Sequence, residues 1–110
     1  MNFKELAKNL EMEEDEFLEM VDLFWETTSS DLGKLQSAVE EKEAQKVAKA
    51  AHSIKGAAAN LGFFEIYEVA KRIEMDAREN NLDEATGSVK TIKEKLDLIA
   101  LSLKEGSSNV

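Results

Sequence analysis

The chain contains no cysteine and no proline, and it has a single histidine in 110 residues. Without cysteine there is neither a disulfide nor a thiolate metal site. One histidine and no Glu-x-x-His pair (Lys49 stands where that glutamate would be) argue against a bundle-type metal centre, and no metal is expected. Without proline nothing interrupts a helix from within. No apolar run approaches the ~18 residues of a membrane span, and the N-terminus lacks a secretory pattern. No glycine-rich nucleotide loop or Walker lysine motif is present, so neither ATP binding nor self-phosphorylation is expected. Basic side chains are outnumbered 14 to 23, giving a net charge of −9, which argues against nucleic acid and anionic membranes as partners. The expectation is one small cytoplasmic domain with one core.

What is present is helical periodicity from end to end. Phe3, Leu6, Ala7 and Leu10 mark a short amphipathic segment over 2–9. A long helix over 13–41 carries Phe17, Val21, Phe24, Thr28, Leu32, Leu35 and Val39 as its stripe and continues past Gly33. A third helix over 43–61 is expected to stop at Gly62 in the left-handed region. A fourth over 63–78 turns Ile66, Ala70, Ile73 and Ala77 inward. Asn81, with Glu84 three residues on, reads as a cap for a last helix with heptad spacing: Leu82, Ala85, Val89, Ile92, Leu96, Ile99, Leu103. Four long amphipathic helices with tight turns predict an all-α antiparallel up-down four-helix bundle with a short additional N-terminal helix. The domain is assigned to residues 1–105, and 106–110 to a flexible tail. Trp25, Phe24 and Phe64 are expected in core or edge packing, and a bundle that closes on itself is expected to be a monomer.

The third helix carries the lone histidine. Val47, Ala51, Ile54, Ala58 and Leu61 form its apolar stripe. At about 100° per residue, His52 lies roughly 140° from the centre of that stripe, facing water. Lys49 and Lys55 flank it at about 60° on either side, and Gly56 and Ala59 lie nearly in line with it. Gly56 stands inside a helix, at a cost of roughly 1 kcal/mol relative to alanine, and points away from the apolar stripe. It therefore reads as clearance beside the imidazole rather than as a packing contact.

The run Ala51-His52-Ser53-Ile54-Lys55-Gly56, with Gly62 six residues later and Ile73-Glu74 on the next helix, resembles the signature of histidine-containing phosphotransfer (HPt) domains. The resemblance covers nearly the whole chain. It departs at Phe63, where many stand-alone members carry alanine, and the Gly62-Phe63 step looks more like the chemotaxis-kinase phosphotransfer domain. The resemblance implies a phosphocarrier without kinase activity or cofactor, whose His52 Nε2 attacks the phospho-aspartate of a response-regulator receiver domain. A histidine kinase or hybrid kinase is the further partner, and the receiver supplies Mg²⁺. In this reading Lys55 and Lys49 stabilise the phosphoryl group, Gly56 gives steric access, and Glu74 orients the ring. A solvated edge position, or a salt bridge to Arg78 at i+4, is the alternative role for Glu74. Two other functions stay open: the substrate domain of a chemotaxis-type kinase, and a helical adaptor in which His52 is incidental.

Overall fold

The computed structural model describes the backbone of residues 2–108 and the side chains of residues 2–105. Five helices account for most of it: α1 (Phe3–Asn9), α2 (Glu14–Glu40), α3 (Ala44–Leu61), α4 (Phe64–Arg78) and α5 (Ala85–Ser108). There is no strand among the described residues. Helix α2 packs on α3, α3 on α4, α4 on α5, and α5 back on α2, so the four long helices close into a ring around one core. Short turns between them make it an up-down bundle, and α1 packs on α2. Of the expected tail, residues 106–108 continue α5, and 109–110 lie outside the described residues.

The stripes read from period 3.6 are the buried faces. Val47, Ala51, Ile54, Ala58 and Leu61 of α3 are all buried, as are Ile66, Ala70, Ile73 and Ala77 of α4. In α2 the stripe is buried from Phe17 to Leu35, but its last member is Ala38, with Val39 only partly covered. Thr28 lies within that stripe with its hydroxyl buried and unpartnered. Leu82 and Leu103, the ends of the α5 pattern, pack against the core from half-buried positions.

Helix ends explain how the bundle stays tight without proline. Gly62 stops α3 at φ +79°, with the Phe63 N–H donating to the Ala58 carbonyl and the Gly62 N–H to that of Ala59. This closure turns Phe63 inward, where its ring meets Phe24 at 5.0 Å between centroids. The same left-handed stop recurs at Glu11, Lys42 and Asn80, after α1, α2 and α4. These are positions where a side chain costs about 1–2 kcal/mol relative to glycine. The expected Asn81–Glu84 cap does not form. The Asn81 side chain accepts instead from the Asp83 N–H, making a local turn, and α5 begins only at Ala85. Phe24 is buried, and Trp25 is half-buried with its indole N–H donating to the Leu96 carbonyl. Phe64, expected to pack, is instead 67% exposed at the start of α4.

Candidate functional site

Helices α3 and α4 form the site between them. Because the α3 stripe is fixed against the core, His52 projects outward with 64% of its side chain exposed. Glu74 follows Ile73 on α4, so it lies at the border of that helix's buried face, and the residue is only 4% exposed. Its carboxylate reaches across to α3, where His52 Nδ1 and Glu74 Oε2 are 2.9 Å apart. On the other oxygen, Lys55 Nζ donates to Oε1 at 2.7 Å. Arg78 Nη2 donates to Oε2 at 2.6 Å, so that oxygen is shared by the imidazole and the guanidinium.

Burial alone pushes the Glu74 pKa up, but hydrogen bonds from Lys55, Arg78 and His52, with the charge of Lys55, bring it down to about 2. Glu74 is therefore a carboxylate at neutral pH and can only accept. Hence the ring nitrogen facing it must carry the hydrogen: Nδ1–H donates, and in the neutral ring Nε2 keeps its lone pair toward solvent. The pairing thus selects the tautomer that leaves the outer nitrogen free to attack.

The other expected residues divide. Gly56 is exposed on the same side of α3, and a Cβ placed there would meet nothing within 4 Å. The absence of a side chain is therefore not required by packing within the chain. Lys55 is committed to Glu74 and only 25% exposed, rather than standing free beside the ring. Lys49 is exposed and lines an open cleft with His52, Gln45, Ala48, Ala77 and Arg78. On the far side of α3, Ser53 Oγ donates to Asp31 on α2 at 2.8 Å, pinning the two helices together beside the site.

The sequence offers Arg78 only as an alternative partner for Glu74. In the structure Glu74 makes both contacts at once. The signal was the Glu74-x-x-x-Arg78 spacing on one helix face; that Glu74 would also reach His52 and Lys55 on α3 depends on how the helices pack. The Ser53–Asp31 link has no sequence signal of its own.

A family model described as the Hpt domain matches residues 19–101. Among solved structures, the chain is similar to histidine-containing phosphotransfer protein B (HptB) from Pseudomonas aeruginosa PAO1. The two share 26% sequence identity and superpose with a TM-score of 0.83, over 96% of this chain and 91% of that one. It also shares its fold, at 15% identity and a TM-score of 0.80, with the HPT domain from the Hpt sensor hybrid histidine kinase from Shewanella, over 100% of this chain and 95% of that one. No curated protein matches the chain. With the family model spanning most of its length, and the lone histidine outward on the third of five helices, the chain belongs to the Hpt domain family.

Proposed function

We propose that this protein is a phosphorelay carrier in which His52 accepts a phosphoryl group from, and returns it to, an aspartate of a response-regulator receiver domain. The observation that carries the reading is the exposed imidazole with Nδ1 tied to a buried, charged Glu74. Nε2 donates its lone pair to the phosphorus of the aspartyl phosphate. The P–O bond to the aspartyl carbonyl breaks, and its electron pair leaves on the aspartate carboxylate. The ring, still protonated at Nδ1, becomes cationic, and Glu74 steadies that charge. In the reverse step the aspartate attacks the phosphorus and the N–P bond breaks back onto Nε2.

The phosphoryl group carries a charge of about −2. Lys49 stands exposed beside the ring to meet it, and Lys55 contributes chiefly by holding Glu74. Gly56 leaves the docking face flat, so a receiver loop approaches the ring unhindered. Mg²⁺ belongs to the receiver's pocket. The chain brings no nucleotide loop, so the group originates at a histidine kinase or hybrid kinase. The reading places the protein in the cytoplasm as a monomer.

Incubation with a panel of phosphorylated receivers tests this. The parent is expected to take up an acid-labile, base-stable label, and His52→Gln to take up none while keeping its helicity. Undiminished labelling of the variant would overturn the reading.

A further inference from the structure

We propose that Arg78 is a positioning residue for His52: it shares Glu74 Oε2 with the imidazole and offsets the carboxylate's charge, so that the ring stays neutral and nucleophilic. This deepens the carrier reading and rests on it.

A buried carboxylate hydrogen-bonded to an imidazole ordinarily favours the protonated ring, because the ion pair is stronger than the neutral hydrogen bond. Protonation at Nε2 would consume the lone pair the reaction needs. Here the carboxylate does not act on the ring alone. Oε2 accepts from Arg78 Nη2 at 2.6 Å, closer than the 2.9 Å to Nδ1, and Oε1 accepts from Lys55 at 2.7 Å. One negative charge thus faces two cations before the imidazole is counted.

The remaining charged groups on the helices around the ring do not replace Arg78. On α3, Lys49 is exposed across the cleft and Lys55 is already engaged with Glu74. On α2, Asp31 is bonded to Ser53, and Lys34 lines the groove on that far side. Arg78 is the cation that shares the ring's own acceptor atom. Its side chain is 62% exposed, so a substitution there removes charge without opening the core.

Because His52 is the only histidine, its ring resonances can be followed through a pH titration by NMR without ambiguity. Arg78→Gln is expected to move the titration midpoint up by about 0.5–1 pH unit, since an uncompensated carboxylate then faces the ring. Arg78→Lys is expected to restore the midpoint, and adding Glu74→Gln to Arg78→Gln is expected to bring it back to the parent's or below. Phosphoryl uptake at neutral pH should fall roughly two- to fivefold in Arg78→Gln and recover at alkaline pH. An unchanged midpoint in Arg78→Gln would overturn the proposal, as would a lowered melting temperature with no titration shift. The titration is read on the unphosphorylated protein. A parent that takes up no label would sink the carrier reading and, with it, the use assigned here to the neutral ring, whereas an unshifted midpoint in a protein that does take up label would sink this proposal alone.

Discussion

Glu74 stays ionised in a place that ordinarily suppresses charge, and the physical reason is three donors converging on two oxygens. This gives the site a measurable dependence on acid. Its folded pKa of about 2 lies below the ordinary 4.5. The group's contribution to stability is therefore fully present above about pH 4.5 and is lost as pH falls toward about 2. Glu74→Gln keeps the shape but not the charge, and it leaves the largely covered Lys55 without its counter-ion. The variant is expected to be less stable than the parent at pH 7 by about 1–3 kcal/mol. The gap should close across that acid window, as followed by urea unfolding at stepped pH; a constant gap would contradict the assignment. At this scale the sequence was partly legible. The outward direction of His52 follows from counting residues around a helix. The Glu74 contact is a distance between two helices, and no count along one chain segment contains it. Likewise, the position of Lys55 on its own helix places it beside the ring, and only the approach of α4 pairs it with Glu74.

Helix α3 is built on an asymmetry, with bulky apolar residues on the core side and small ones around the histidine. Gly56 is its extreme case. A side chain at 56 begins in open space, and glutamine is a better helix former than glycine. Gly56→Gln is therefore expected to raise stability by about 0.5–1 kcal/mol. The same side chain, one turn from the imidazole, should slow transfer from a phosphorylated receiver by about tenfold or more, equivalent to ~1.4 kcal/mol of lost complementarity. Thermal melts and single-turnover transfer rates check the two halves, and unchanged transfer would remove the steric argument. Helix bodies were legible because their stripes are long. Their ends were less so. Gly62 announces a left-handed stop, but Glu11, Lys42 and Asn80 adopt the same geometry with nothing in their side chains to require it. Asn81 offered a plausible cap and used its oxygen for a tighter turn instead.

Across the whole molecule the charge is uneven. The chain carries −9 overall, yet α3 has Lys46, Lys49 and Lys55 and no acidic residue. Of these, Lys55 is paired with Glu74 and Lys46 with Glu43, which leaves Lys49 as the exposed lysine of this helix beside His52. The ring of four helices holds α3 in place, because its apolar stripe is wholly buried and Ser53 is tied to Asp31. The fold class was legible in full at this scale, since four stripes and short turns admit few closures. The exposed Phe64 was not, because an aromatic at a helix start gives no sign of which way the preceding Gly62 will turn the chain.

The most direct test is to label the protein with nitrogen-15, phosphorylate it from a receiver, and read nitrogen–phosphorus coupling on the single imidazole. Phosphorus on Nε2 of His52, with the hydrogen retained on Nδ1, is the expected result. Phosphorus on Nδ1, on another residue, or nowhere in the chain would contradict the account.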